Sequence, residues 1–175
     1  MDNEYTGKRP TWSAGPIDLA LIMRHVRMTL EFYEEKQQHR VSIRYEPSDM
    51  SLLVRDPDRV IQALVTLIPN AYEHSDDGGE VVVKAGRRGE TACIRVEDYG
   101  MGVPSHMRIA LFESLARVDD DPDRAAKPGL ALRLARQAVE SQGGTIGIEE
   151  VSPIGTCIWF TLPALGGGGP ARRWG

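Results

Sequence analysis

The chain of 175 residues lacks long apolar runs and has no excess of basic residues. No stretch approaches the roughly 20 apolar residues that a membrane-spanning helix needs. The segment from Met1 to Gly15 also lacks the apolar centre of a signal peptide, so we expect a cytoplasmic location without direct membrane contact from this chain, although a parent protein could be membrane-anchored. A net charge of -4 argues against nucleic-acid binding, which depends on clustered Lys and Arg.

Cysteine is also scarce, with only Cys93 and Cys157 in the chain. Each lies in an apolar run that is typical of a β-strand. A single cysteine in such a run is usually a small buried hydrophobic side chain. The sequence therefore predicts neither a disulfide nor a cysteine metal site.

Length and composition fit one globular domain. The chain is 41% hydrophobic and 26% charged, close to the average of soluble proteins. Residues 1–16 show little periodicity, and residues 166–175 include a run of four glycines. We predict a single folded domain over 17–165, flanked by a flexible N-terminal segment and a flexible C-terminal tail.

Apolar residues recur at helical spacing in several segments. One helix is predicted to start after Asp18, and another at Asp56-Pro57-Asp58, where a capping residue precedes a proline suited to the first helical position. The predicted helices span 19–39, 56–74, 104–112 and 130–142.

Short runs rich in β-branched residues predict strands, and a polar segment with three consecutive aspartates predicts a mobile loop over 119–128. The sequence Gly86-Arg87-Arg88-Gly89 predicts a hairpin turn. The strands are expected at 41–45, 52–54, 80–85, 91–97, 146–148 and 157–162. Helices and strands do not alternate regularly, which predicts an α+β two-layer sandwich: a mixed, largely antiparallel sheet covered by helices on one face.

Four short motifs occur in a fixed order along this pattern. They are Asn70-Ala71 late in a helix, Asp98-Tyr99-Gly100-Met101-Gly102 after a strand, Leu111-Phe112-Glu113, and Gly129-Leu130-Ala131-Leu132 at a helix start. Each alone is weak evidence, because asparagine often ends a helix and glycine often forms a turn. Only their succession is specific.

Together the motifs resemble the boxes of the GHKL ATPase superfamily, and within it the catalytic domain of sensor histidine kinases. The resemblance extends from Ile17 to Pro163 and includes the closing segment Gly155-Thr156-Cys157. It implies a Bergerat-type fold and a protein histidine kinase that binds ATP and Mg²⁺. It further implies transfer of the γ-phosphoryl group to a histidine on a separate dimerisation segment in two-component signal transduction.

The resemblance also assigns roles to residues. Asn70 would donate its side-chain oxygen to Mg²⁺, which prefers oxygen ligands. Asp98 would accept a hydrogen bond from the exocyclic amine of adenine, with help from Thr156. The start of the helix at Leu130 would face the phosphates with its unpaired N–H groups. The full expected nucleotide site is Asn70, Glu73, His74, Asp98, Gly100, Gly102, Val103, Arg117, Lys127, Gly129, Leu130, Ala131 and Thr156, with Asn70 as the metal ligand.

Several positions depart from the family pattern. Ala131 stands where another glycine is common, and Glu73 where many kinases have a lysine that could meet phosphate. Thr66 takes the place of a second asparagine or, in the hydrolases of the superfamily, of a glutamate base, so fast ATP hydrolysis is not expected. Pro69 removes a helical N–H directly before Asn70.

None of the four histidines is followed by Asp or Glu, the context of a phosphoacceptor. We therefore assign no catalytic residue within the chain and expect the acceptor on the dimerisation segment, with a response regulator as an indirect partner. Two alternatives stay open. One is a degenerate nucleotide-binding or protein-interaction module of the same fold without catalysis, and the other is an anti-sigma-factor-type serine kinase.

Overall fold

The computed structural model describes residues 17–34, 42–46, 51–52, 56–75, 79–88, 91–104, 106–108, 129–151 and 154–163. The helices and strands in this part of the chain are β1 (Ile17–Asp18), α1 (Leu19–Glu34), β2 (Ser42–Glu46), β3 (Ser51–Leu52), α2 (Pro57–His74), β4 (Glu80–Arg88), β5 (Thr91–Asp98), α3 (Leu130–Glu140), β6 (Thr145–Glu150) and β7 (Thr156–Pro163).

Five strands form the main sheet, in the order β2-β4-β5-β7-β6. Strand β2 pairs with β4 in parallel, and every other pair in this sheet is antiparallel. A second, very short sheet joins β1 to β3. The predicted mixed, largely antiparallel sheet is therefore confirmed.

The core lies between one face of this sheet and the three helices. Alternate residues of β5, namely Ala92, Ile94 and Val96, are buried in the same cluster as the apolar faces of α1, α2 and α3. The opposite face of the same strand carries Arg95 and Glu97, which bond to other charged side chains. A sheet with helices packed on one face and with the charged residues Arg95 and Glu97 on the other is the predicted two-layer α+β sandwich.

Helix α2 begins and ends where the sequence predicts. Asp56 has an extended backbone (φ -137°) and its side chain accepts a hydrogen bond from the Arg59 N–H at 3.3 Å, as an N-cap does. The helix ends at His74, and the hydroxyl of Ser75 donates to the Ala71 carbonyl at 2.9 Å. Local signals at both ends thus fix the position of Asn70 within the last turn.

The structure differs from the sequence prediction at several ends. Strand β4 continues to Arg88, so the predicted turn at 86–89 is wrong for its first three residues; Gly86 pairs with Cys93 because the antiparallel register with β5 continues through the glycine. Helix α3 ends at Glu140 and not at Gln142, since Gly143 (φ +78°) turns the chain. The β1–β3 pair was not predicted.

Some predicted features lie outside the described residues. These include the end of the first helix beyond Glu34, the loop 119–128, both predicted flexible ends, and residues 109–112; residues 106–108 are helical. Among the helices that are described, none is both long and apolar enough to cross a membrane.

Both cysteines are free thiols. Burial raises the pKa of the Cys157 thiol to about 12, so it stays protonated at neutral pH. The prediction that Cys157 is a buried hydrophobic side chain is confirmed, whereas Cys93 is only partly buried.

Candidate functional site

The end of α2 and the turn after β5 lie against each other. Gly100 is buried, and a Cβ added there would collide with the backbone carbonyl of His74, the last residue of α2. Only glycine allows this approach without a shift of the backbone. The contact brings the segment containing Asn70 and the segment containing Asp98 to one place.

Asp98 is a buried carboxylate, 4% exposed, at the last position of β5. It accepts a hydrogen bond from the Gly100 N–H at 3.2 Å and another from the backbone of Thr156, its register partner in β7. Burial raises the pKa of the Asp98 carboxyl above 3.8, while these two bonds and the nearby His74 act in the opposite direction. Asp98 therefore keeps acceptor capacity in a site with little water.

Gly155 is a site residue that the sequence analysis did not select. Its φ is +151°, and a Cβ there would collide with the carbonyl of Asp98. A Cβ on Gly102 (φ +71°) would in turn lie 3.4 Å from the Gly155 carbonyl oxygen. In the sequence, the feature that could have indicated Gly155 is its position directly before the predicted site residue Thr156. These glycines let β7 and the turn after Asp98 pack backbone to backbone.

An open cleft lies beside this contact. Its volume is about 580 Å³, and Gly102, Val103 and Gly155 are among the residues that line it. The predicted residue Val103 is partly buried there. Thus Gly102 and Val103 lie at the edge of a cavity that adjoins the Asp98 segment.

Helices α2 and α3 pack against each other, and the start of α2 lies beside the end of α3, which indicates an antiparallel arrangement. The Asp56 N–H, at the start of α2, donates to Gln142 Oε1, just beyond the end of α3, at 3.2 Å. A helix rises about 1.5 Å per residue, so Leu130, at the start of α3, lies about 18 Å along the chain direction from Gln142. The same distance along α2, counted from Asp56, ends near Ile68. The first residue of α3, Leu130, therefore lies near the level of Asn70.

The start of α3 is the helix end that the sequence predicts to face the phosphates. Gly129 precedes it with φ +102°, a conformation that favours glycine. Glycine has no side chain that could cap the first turn, so Gly129 does not occupy the first N–H groups of α3. Both residues are partly buried.

The exposed face of α2 carries the other predicted residues. Asn70 is partly buried, and Glu73 and His74 are exposed. The hydroxyl of Thr66 donates to the Gln62 carbonyl of its own helix at 2.6 Å. The Thr66 hydroxyl thus bonds to the backbone of its own helix. No carboxylate base stands at this position, one turn before Asn70.

Two predicted residues, Arg117 and Lys127, lie outside the described residues, as does the motif 111–113. Of the predicted set, the structure brings His74, Asp98, Gly100, Gly102, Val103 and Thr156 together. Asn70 and Glu73 lie on the adjoining turn of α2, and Gly129, Leu130 and Ala131 lie at the facing start of α3.

A charged cluster on the outer face of the sheet was also missed. Glu97 is buried and bonds to Lys84 Nζ at 2.7 Å, Arg95 Nε at 3.1 Å and the Tyr99 hydroxyl at 3.3 Å. Arg95 also reaches Glu149 at 3.1 Å. Burial by itself would raise the pKa of Glu97, but the hydrogen bonds from Lys84 and Arg95 hold it below 4.5. The cluster ties both neighbours of Asp98 to the outer face.

The fold is a two-layer α+β sandwich, with Asp98 buried at the end of its central strand. A family model described as histidine kinase-, DNA gyrase B-, and HSP90-like ATPase matches residues 55–166. The chain belongs to this family.

Similar sequences are sensor kinases. The sensor histidine kinase WalK of Bacillus subtilis is 34% identical over 147 residues, which cover 81% of this chain and 24% of WalK. The adaptive-response sensory kinase SasA of Thermosynechococcus vestitus is 33% identical over 136 residues, covering 77% of this chain and 34% of SasA. The chain therefore spans about a quarter to a third of the length of these relatives.

Solved structures with the same fold are also histidine kinases. The nucleotide-free catalytic domain of ThkA superposes with a TM-score of 0.68 at 22% identity and covers 85% of this chain and 94% of that chain. The mycobacterial sensor histidine kinase MprB superposes with a TM-score of 0.65 at 22% identity, and the match covers 87% of this chain and 98% of the MprB chain. At this identity the likeness shows the fold alone.

Proposed function

We propose that this chain binds ATP with Mg²⁺ and presents the γ-phosphoryl group to a histidine on a separate dimerisation segment of a two-component sensor kinase. The observation that carries the proposal is the buried, hydrogen-bonded carboxylate of Asp98 between two close-packed glycine contacts. Family membership and the similar sensor kinases support the same reading. The dimerisation segment and a response regulator are the expected partners.

At the base end of the site, Asp98 accepts the hydrogen bond of the adenine amine. Guanine carries a carbonyl at that position, so the carboxylate would repel it. Gly100 and Gly102 keep side chains away from the base, and Gly155 fixes the carbonyl side of Asp98. The chain's own contribution here is selection and orientation of the base.

At the phosphate end, the residues fit a cation with phosphate oxygens. Asn70 offers a carboxamide oxygen on α2, and the start of α3 offers N–H groups near the same level. Mg²⁺ would neutralise charge on the phosphates and help to align the γ-phosphoryl group. Phosphoryl transfer needs chiefly positioning and charge neutralisation, which these two helix ends provide without a general base on the chain.

A second candidate function is a degenerate module that binds nucleotide weakly or not at all. Ala131, at the second position of α3, adds a Cβ where glycine would leave space for phosphate. Such a module would bind ATP no better than adenosine, whereas a working phosphate site prefers ATP. A serine kinase of the anti-sigma type would instead phosphorylate serine on a protein substrate.

Calorimetric titration of ATP, with and without Mg²⁺, tests the assigned roles. Asn70→Ala should weaken binding chiefly when Mg²⁺ is present, and Asp98→Asn should weaken it under both conditions, each by about tenfold or more. Asp58→Asn is a matched control, because it makes the same chemical change at an exposed site in the first turn of α2. Equal, metal-independent losses from Asn70→Ala and Asp98→Asn would contradict the roles.

The transfer step is tested by mixing the chain with the dimerisation segment of the same kinase and labelled ATP. Acid-labile, base-stable label on that segment, lost when its histidine is replaced, is the expected result. Acid-stable label on serine would favour the serine-kinase alternative.

A further inference from the structure

The last turn of α2 places two oxygen-bearing side chains side by side. Asn70 and Glu73 are three residues apart in one continuous helix, so their Cβ atoms are neighbours at about 5–6 Å. Ala71 and Tyr72, between them, are buried at 2% and 5% exposure. Asn70 and Glu73 therefore flank the buried stripe on the side that faces away from the core.

The electrostatics of this turn suit a cation better than a phosphate. The C-terminal end of a helix carries partial negative charge from its unpaired carbonyl groups. Glu73 adds a carboxylate, which also interacts with another group of the protein, and His74 is the basic residue of the last turn. A nucleotide phosphate close to Glu73 would be repelled unless a divalent cation lies between them.

The start of α3 has the opposite character. Its N–H groups and positive dipole end attract phosphate, and it lies near the level of Asn70. The two antiparallel helices thus present a negative end and a positive end on the same side of the pair. This pairing separates a cation position at α2 from a phosphate position at α3.

We infer that Glu73 is a second oxygen donor to the nucleotide-bound divalent cation, beside Asn70, either directly or through a bound water. The inference rests on the proposed function and adds a residue to its metal site. Mg²⁺ accepts carboxylate and carboxamide oxygens and commonly keeps several waters, so one or two protein ligands are sufficient. Glu73 then makes nucleotide binding depend strongly on the cation.

The sign of the effect with and without metal tests the inference. In Glu73→Gln, metal-free ADP should bind about threefold more tightly, because a repulsive carboxylate is gone. The gain in ADP affinity on adding Mg²⁺ should shrink by about tenfold, because a cation donor is lost. Mn²⁺ in place of Mg²⁺ allows the bound cation to be counted directly by electron paramagnetic resonance with ADP present.

Glu140→Gln is the matched control. Glu140 is an exposed glutamate in the last turn of α3, three residues after Gln137, and lies at the end of the helix pair that adjoins Asp56. It should change neither ADP affinity nor Mn²⁺ binding. A second variant, Glu73→Lys, should bind ADP without metal more tightly than Glu73→Gln, and thermal unfolding of each variant checks that it is folded.

Three results overturn the inference. If Glu73→Gln changes ADP affinity by the same factor with and without Mg²⁺, the carboxylate does not act on the cation. If Mn²⁺ binding with ADP is unaltered in both Glu73 variants, the same conclusion holds, and the proposed function survives when Asp98→Asn still weakens nucleotide binding. If the wild-type chain binds no nucleotide under any condition, the proposed function itself fails and the inference with it.

Discussion

Adjacent residues at the end of β5 have opposite electrostatic environments. Asp98 points to the core side, where burial dominates and raises its pKa. Glu97 points to the outer face, where Lys84 and Arg95 hold its pKa below 4.5 despite burial. Side chains alternate between the two faces along a strand, so the adjacent residues Glu97 and Asp98 point to opposite faces. Asp98 is desolvated on one face, and Glu97 is paired with Lys84 and Arg95 on the other. Asp98 is therefore the less stable of the two charges.

Asp98→Asn should stabilise the nucleotide-free protein relative to wild type as the pH rises. A carboxyl with a raised folded-state pKa contributes stability below its ordinary value of 3.8 and loses it as the pH passes through the folded pKa. The difference in unfolding free energy, variant minus wild type, should grow from about pH 4 upward and then level off. Chemical denaturation at several pH values measures it.

Glu97→Gln should show the opposite pH trend, because the pKa of the Glu97 carboxyl is lowered in the folded protein. The wild-type advantage over this variant should be full above pH 4.5 and should decline as the pH falls further. If the two variants show the same pH trend, the assignment of opposite environments is wrong.

Helix α2 links the stability of the fold to the position of the proposed metal ligand Asn70. Its cap, its buried face and its end are all ordinary, but Pro69 lies inside the helix, directly before Asn70. Proline offers no N–H to the Val65 carbonyl, and its ring crowds that carbonyl. The helix continues because Leu67, Ile68 and Ala71 are buried against the core. Tertiary packing thus overrides a local breaker next to a candidate ligand.

Pro69→Ala should raise the free energy of unfolding by about 1–3 kcal/mol, because it restores a helical hydrogen bond. It should also weaken Mg²⁺-dependent ATP binding, because the restored hydrogen bond changes the backbone directly before Asn70, and leave adenosine binding unchanged. Denaturant unfolding and calorimetry measure the two effects. Thr66→Ala, in the same part of the helix, is the control and should leave ATP affinity unchanged. A more stable Pro69→Ala protein with wild-type metal dependence would show that the proline does not position Asn70.

At the scale of the whole molecule, the chain carries the proposed nucleotide site but no histidine in phosphoacceptor context. His25 lies on α1, partly buried, and His74 and His106 are exposed. None of the four histidines precedes an acidic residue. The chain also spans only about a quarter to a third of the relatives described above. Under the proposed function, a second segment would supply the phosphoacceptor histidine.

The chain alone should not incorporate acid-labile phosphate when incubated with labelled ATP, and its ATP hydrolysis should be slow, because Thr66 replaces a carboxylate base. Phosphate incorporation, resolved by acid and base stability, and phosphate release measure the two expectations. The same preparation must bind ATP in calorimetry, so that a negative result is not due to an unfolded protein. Stable acid-labile label on this chain alone would refute the assignment of the acceptor to another segment.

The sequence by itself determined the features that depend on neighbouring residues. The cap at Asp56 and the end of α2 at His74 follow from local hydrogen bonding and from the helical period, and both were predicted, as was a strand at 91–97. The order of the four motifs was sufficient to recognise the family. The largely antiparallel sheet and the two-layer architecture were predicted from the irregular succession of helices and strands.

Only the tertiary structure decided which distant segments meet. Asp98 and Thr156 are 58 positions apart, yet they are register partners, and the packing of Gly155 on the Asp98 carbonyl depends on that pairing. Contacts between distant segments also produce the parallel β2–β4 pair, the extension of β4 through Gly86 and the cluster around Glu97. Local propensity carries no information about these contacts, because their free energy comes from burial and from cross-strand bonding between segments that the sequence keeps apart.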